Sequence, residues 1–239
     1  MAYDYLIDRT KEETERISIA EAIRTKGGTT AQLAWPDGFV QAVNDIQTGG
    51  SNPLEYATGV PYFGMDFPPG YELTLNMPNN RSTSYYNVLA NRKGLKKFKL
   101  ISPVISNVNG LNMFQNCQDL EEIDFTDAHL KFSTMQQMFY GCKKLKRIDG
   151  DLDLSLCTNI DNAFVWPEHL KEIRFAEGSI KISISFSWCR SLSAESVQSI
   201  IDGLATVTET KTVTFNSAVT VTPEQIAAAQ AKNWTVVVQ

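Results

Sequence analysis

The stretch that decides the fold is MFYGCKKLKRID, Met138–Asp149, because 25 residues earlier Met113–Asp124 reads MFQNCQDLEEID. Working outward, VLANRKGLKKFKL from Val88 and AFVWPEHLKEIRF from Ala163 keep the same 25-residue step, and SFSWCRSL from Ser185 is a shorter last copy. Leu95, Leu120, Leu145, Leu170 and Leu192 recur in every copy, and Phe114, Phe139, Phe164 and Phe186 recur in four. A fixed period with one short LxxIxF-like strand per unit predicts a solenoid. Each coil buries its apolar side only against its neighbours, and the strands stack in parallel.

The repeated cysteine poses a choice between chemistry and packing. Zinc needs about four ligands in a tetrahedron, with thiolates at about 2.3 Å, whereas one cysteine per coil gives a line with steps of about 4.8 Å. Cys117, Cys142 and Cys189 are therefore read as small apolar residues facing the core, reduced and structural. Parallel side-chain vectors argue against a disulfide between adjacent coils. Cys157 lies off the register and receives no role.

Other candidates for chemistry are sparse. The two histidines, His129 and His169, fall in a connector and beside a turn, and no G-x-S-x-G, H-E-x-x-H or phosphate-binding glycine loop is present. Asp149, Asp151 and Asp153 alternate along one strand and would project to one face, an arrangement able to hold calcium. Lacking an EF-hand's glycine turn and terminal glutamate, they are expected to form a solvated acidic strip. No metal, no cofactor and no enzymatic activity are expected.

Two groups form the candidate binding surface. Lys97, Glu122, Arg147 and Glu172 share one offset on successive strands, so their signs alternate down a column of parallel strands. Trp166 and Trp188 follow their phenylalanines by two residues, as Asn116 does, which places them on the rim of adjacent coils. Packing, against Pro167 among others, is their expected role, with an exposed aromatic pair for a partner as the alternative.

The pattern MFxxCxxLxxID, followed by a connector such as the TDAHLKFSTMQQ before Met138, resembles the BspA-type leucine-rich repeat of bacterial surface proteins. The copy from Ala163 departs from it with Pro167 at the cysteine position, and that coil is expected to be distorted. The resemblance implies an α/β repeat fold, a leucine-rich-repeat-like right-handed solenoid with a parallel strand ladder.

The repeats are flanked by different sequence. Residues 1–47 read as a helical attachment segment, with capping boxes at Thr10/Glu13 and Ser18/Glu21 and apolar faces built from Ile19, Ile23, Phe39, Val43 and Ile46. Too short to bury a core of its own, this segment is expected to meet another chain, as a homo-oligomer or on a larger assembly. Residues 48–58, with QTGGSNP, read as a linker, 59–192 as the solenoid and 193–239 as its cap. In the cap, Ser193 and the Thr222/Pro223/Gln225 signature start helices, while KTVTF and WTVVV read as strands. IAEAIRTKGGTTAQLAWPDGFVQAVNDI, LSAESVQSIIDGL and TPEQIAAAQAKNWTV resemble the flanks of leucine-rich-repeat proteins encoded among tail genes of prophages in gut Firmicutes.

Composition narrows the partners. With 22 Lys+Arg against 27 Asp+Glu, the net charge of -5 and the lack of a basic cluster argue against nucleic acid. No apolar run nears the roughly 18 residues of a membrane span, and MAYDYLIDRTKEETERI carries charge where a secretory signal needs an apolar core. The expected function is a non-enzymatic binding or structural protein of a prophage virion, in tail or baseplate, recognising a tail protein or a host-surface component. Its expected location is the virion, or the bacterial cytoplasm before assembly. The alternative is a cell-surface adhesin of the BspA type whose export signal was removed. A carbohydrate-active enzyme ranks third, since it needs paired carboxylates in a cleft.

Overall fold

A computed structural model describes residues 66–76 and 83–239. The expected helices of residues 1–47 and the linker at 48–58 lie outside these. The strands β1 (Tyr71–Asn76), β2 (Leu95–Asn109), β3 (Glu122–Thr134), β4 (Arg147–Leu152) and β5 (Glu172–Phe175) form one sheet in that order. Every neighbouring pair is parallel. This is the solenoid with a parallel ladder that the periodicity predicts, in the α/β repeat class that the resemblance implies.

The strands are less uniform than one short segment per coil. β2 and β3 run on for 15 and 13 residues, through register shifts, so that Ile105 still pairs with Leu130 and Val108 with Phe132. Their connectors thus form a second wall of the coil, carried forward by an isolated bridge from Thr134 to Asn159. Side chains facing between the walls make the core. Leu95, Leu120, Leu145 and Leu170 are fully buried, as are Met113, Met138 and the ring of Phe139.

A phenylalanine spine runs the length of the solenoid. Ring centroids lie 6.0 Å apart from Phe114 to Phe139, 5.6 Å from Phe139 to Phe164 and 4.8 Å from Phe164 to Phe186. Phe98 and Phe175 meet it edge-on, at 5.0 Å from Phe114 and 6.5 Å from Phe164. Each such pair adds roughly 0.5–1.5 kcal/mol beyond area burial.

Around this spine the chain turns at two left-handed positions per coil. Asn87, Asn112, Gln137 and Asn162 occupy the first, with φ between 53° and 56°, and Asn91, Asn116, Gly141 and Trp166 the second, with φ between 58° and 78°. Asparagine visits this region at little cost, and glycine at none. The turns stack through backbone bonds such as Phe114 N–H to Met138 O (3.0 Å) and Phe139 N–H to Ala163 O (3.1 Å). The Asn116 side chain donates to that of Asn91 at 2.9 Å. A Cβ on Gly141 would stand 2.3 Å from Asn116 Oδ1, so any side chain there would have to displace the Asn116 amide from its present place.

The coil with Pro167 is not distorted, contrary to the expectation from its sequence. Leu170 N–H reaches Pro167 O at 3.0 Å, as Leu145 N–H reaches Cys142 O at 3.1 Å, and Glu168 N–H reaches Trp166 O as Lys143 N–H reaches Gly141 O, both at 2.9 Å. Proline's missing N–H removes one short turn bond, and the remaining bonds of the turn and its buried neighbours hold the path.

After β5 the chain forms β6 (Ile184–Phe186), helix α1 (Ala194–Gly203), β7 (Lys211–Phe215), α2 (Pro223–Ala231) and β8 (Trp234–Val238). β6, β7 and β8 make a second parallel sheet, and Phe215 on β7 extends the spine, 6.1 Å from Phe186. The cap region therefore adds strands beside the last repeat rather than only covering it. Ser193 caps α1, and the Thr222–Gln225 box caps α2 as read from sequence. Lys232 Nζ closes the far end of α1, donating to Ile201 O and Asp202 O at 3.0 Å each.

Candidate functional site

The strands bring the charged column into register. Glu72 pairs with Lys97, Lys97 with Glu122, Glu122 with Arg147, and Arg147 with Glu172. Lys97 Nζ bridges Glu72 at 3.4 Å and Glu122 at 3.5 Å. The Glu72 hydrogen bond, with the charge of Glu122 behind it, raises the Lys97 pKa. At Arg147 the signs still alternate but the chain of contacts is interrupted. Its guanidinium turns to Asp149 at 2.7 Å on its own strand and to Glu172 at 3.7 Å, and among the described residues no ion pair joins it to Glu122.

Further ion pairs link the same coils. Lys99 sits between Asp124 (3.0 Å) and Asp127 (2.7 Å), Lys146 meets Glu121 at 2.7 Å, and Lys144 meets Asp119 at 2.8 Å. Burial alone would raise the Asp124 carboxyl, but hydrogen bonds from Thr126 and the adjacent Lys99 outweigh it and hold the group below its ordinary value. Each exposed pair is worth about 0–1 kcal/mol. The face is thus a fixed pattern of charge rather than a major source of stability.

The aspartate strip does not act as one group. Arg147 takes Asp149, Arg174 Nε takes Asp151 at 3.2 Å, and Asp153 accepts Ser155 N–H at 2.8 Å with Lys131 at 3.4 Å. Among the described residues no three His, Cys, Asp or Glu side chains converge as a metal site would require. His129 and His169 are exposed.

The four cysteines are buried free thiols. Beyond the apolar role read from sequence, Cys117 Sγ donates to Leu89 O at 2.9 Å and Cys142 Sγ to Phe114 O at 3.0 Å, each reaching the preceding coil. Cys157, given no role from sequence, is buried in the connector and donates to Asn159 O at 3.4 Å.

Trp166 and Trp188 meet on the rim, as their offsets predict, with centroids 6.0 Å apart and planes at 61°. Two partners escaped the sequence reading. Tyr140 stacks on Trp166 at 5.7 Å and 25°, and Lys143 Nζ lies 4.9 Å from the Trp166 ring centroid. Both belong to the coil before Trp166, so only the stacking of coils makes them neighbours; the 25-residue offset from Lys143 to Glu168, flanking Trp166, was the available signal. Trp166 is half-buried, while Trp188 remains 38% exposed. Trp166 also holds φ at 78°, a strain costing about 1–3 kcal/mol for a bulky side chain.

No helix among the described residues is long and apolar enough to cross a membrane. No curated protein and no solved structure matches the chain. The family model described as "BspA type Leucine rich repeat region (6 copies)" matches residues 73–160 and 110–226, together well over half of the 239 residues. With its repeat period, its parallel ladder and this match in agreement, the chain belongs to the BspA-type leucine-rich repeat family, whose repeats support a binding role.

Proposed function

We propose that the chain is a non-enzymatic binding component of a prophage virion, placed in the tail or baseplate, where the solenoid presents its surface to another tail protein or to a host-surface component. The observation that carries the binding part is the strand face, on which Glu72, Lys97, Glu122, Arg147 and Glu172 stand in one register. Such pairs are worth little to the fold, so a partner can exchange its own charges for them at small cost, and the fixed sequence of signs selects that partner. The virion part rests on the flanking sequences at both ends of the repeats, which resemble those of prophage tail-gene products.

Residues 1–47 would attach the solenoid to its assembly, as a homo-oligomer or on a second tail protein. Light scattering at several concentrations, comparing the full chain with one starting near Asn52, tests this: the full chain should be larger than a monomer and the shorter one monomeric. Equal monomers of equal stability would remove the oligomer.

For the location, antibody raised against residues 66–239 should label purified induced particles. Label confined to the surface of intact cells would replace the virion reading with the adhesin, which the shared repeat type favours.

A further inference from the structure

The rim aromatics differ from the rest of the turn column in a way the fold does not require. Preceding coils carry Asn91, Asn116 and Gly141 at the second left-handed position, residues that accept it readily, whereas the next carries Trp166 at φ 78°. A strained aromatic retained where asparagine serves elsewhere points to a use for the ring itself. That ring is held firmly, with Tyr140 stacked at 5.7 Å and Lys143 over it at 4.9 Å. One coil on, Trp188 stands against it at 6.0 Å and is 38% exposed. The result is a staircase of three rings along the solenoid axis, one from each successive coil, with its last step exposed.

The charges beside the staircase are few and of both signs. Lys143 lies over Trp166 and keeps its charge, and Arg190 Nη1 lies 3.9 Å from Glu168 Oε2, both of that pair's side chains well exposed. Two cations and one carboxylate are too few of either sign to form a track for a polyanion or a basic peptide. What remains is an exposed indole beside a guanidinium and a carboxylate with spare hydrogen-bonding positions. A sugar ring fits that chemistry: its C–H face meets the negative face of an aromatic ring, and its hydroxyls both donate and accept at the edge.

Deepening the binding reading above and resting on it, we infer that Tyr140, Trp166 and Trp188 form a platform for a neutral glycan chain lying along the solenoid axis. Trp188 stacks on a sugar ring, the Arg190–Glu168 pair bonds its hydroxyls, and Trp166, clamped by Tyr140 and Lys143, fixes the position of Trp188.

The test is native electrophoresis of the full chain through gels containing xylan, mannan or mixed-linkage glucan, with titration of chitin oligosaccharides followed by tryptophan fluorescence. At least one probe should retard the protein, and the retardation should survive high salt. Trp188→Ala, which removes the most exposed ring of the three and should keep the wild-type circular dichroism, should weaken binding roughly tenfold or more. Trp166→Asn, which restores the residue of earlier coils, should remain folded by circular dichroism and yet bind more weakly, while Gln230→Ala, an exposed position on α2 outside both surfaces, should bind as wild type.

Failure of every probe, or binding untouched by Trp188→Ala, would overturn the glycan platform. Binding lost with Glu122→Lys instead would overturn the platform but keep the strand face as the recognition surface. Capture of proline-rich peptides at Trp188 with no glycan bound would likewise overturn it.

Discussion

The Cys142 thiol donates to the carbonyl of Phe114, one coil before it, at 3.0 Å, and that carbonyl also accepts the N–H of Cys117 at 3.0 Å. Cysteine is thus the small residue of this position that also ties a coil to its predecessor. Burial pushes the Cys117 thiol up to about 12 and raises Cys142 and Cys189 as well, so little thiolate exists at neutral pH. Native labelling with iodoacetamide should be slow at all three and become fast together in denaturant. Cys157, at the margin of its connector, should react first. Rapid native labelling of Cys117 or Cys142 would contradict the packing. Cys142→Ala should cost about 1–2 kcal/mol, chiefly in lost packing, because Phe114 O keeps its backbone donor.

Acid should weaken the solenoid through specific carboxylates. The Lys144 hydrogen bond, then the N–H of Gly94, holds Asp119 below its ordinary value, and the Lys146 hydrogen bond does the same to Glu121. A carboxyl depressed in the folded state contributes stability above its unfolded pKa, and that contribution is lost as pH falls through the folded one. Thermal melts should therefore show Tm declining below roughly pH 4. Asp119→Asn should lower Tm at neutral pH and make the decline shallower; an unchanged slope would show that the pairs are not coupled to folding.

Much of this was legible because a period survives substitution. Leu120 and Leu145 sit at one offset whatever surrounds them, and that offset alone gave the strand register, hence the Glu122–Arg147 alignment. Register does not give rotamers. Arg147 can reach Asp149 on its own strand as easily as Glu122 on the next, and the choice depends on side-chain geometry that spacing does not encode. Tyr140 was missed for a related reason, since it acts through a neighbour in the next coil, and Cys157 because it lies in a connector off the repeat register. The asparagines of the turn were available in the sequence at 87, 112 and 162, and their left-handed role became evident only with Gln137 and the backbone in view.

Salt should report on the strand-face column. Glu122→Lys would set a lysine beside Lys97 and next to Arg147 in the ladder, placing three cations in consecutive coils. The loss should be about 1 kcal/mol or less and larger at low ionic strength, because screening shortens the reach of exposed charges. Melting at low and high sodium chloride checks this, and equal losses at both would show that the column does not matter to stacking.

The sharpest test of the fold lies where the first sheet ends. β5 would expose an open edge, and α1 covers it with hydroxyl groups in place of a strand. Ser196 Oγ accepts Ile173 N–H at 3.0 Å and donates to Lys171 O at 2.9 Å, and Ser199 Oγ accepts Phe175 N–H at 3.0 Å. Ser196→Ala removes both of these bonds of the first hydroxyl and the 3.3 Å bond that the same hydroxyl accepts from Ser193 Oγ, which keeps Ser196 N–H as its own donor. Lys171 O retains the N–H of Ser193 at 2.9 Å, so the group left without a partner is the N–H of the buried Ile173. An orphaned buried donor costs about 1–3 kcal/mol, whereas Ser191→Ala, losing an exposed bond to Glu168 O at 2.9 Å, should stay within about 0.5 kcal/mol. Urea unfolding should show a lower midpoint and an unchanged slope for Ser196→Ala, with faster hydrogen exchange at the Ile173 amide. Equal midpoints for the two variants would mean that α1 does not seal this edge.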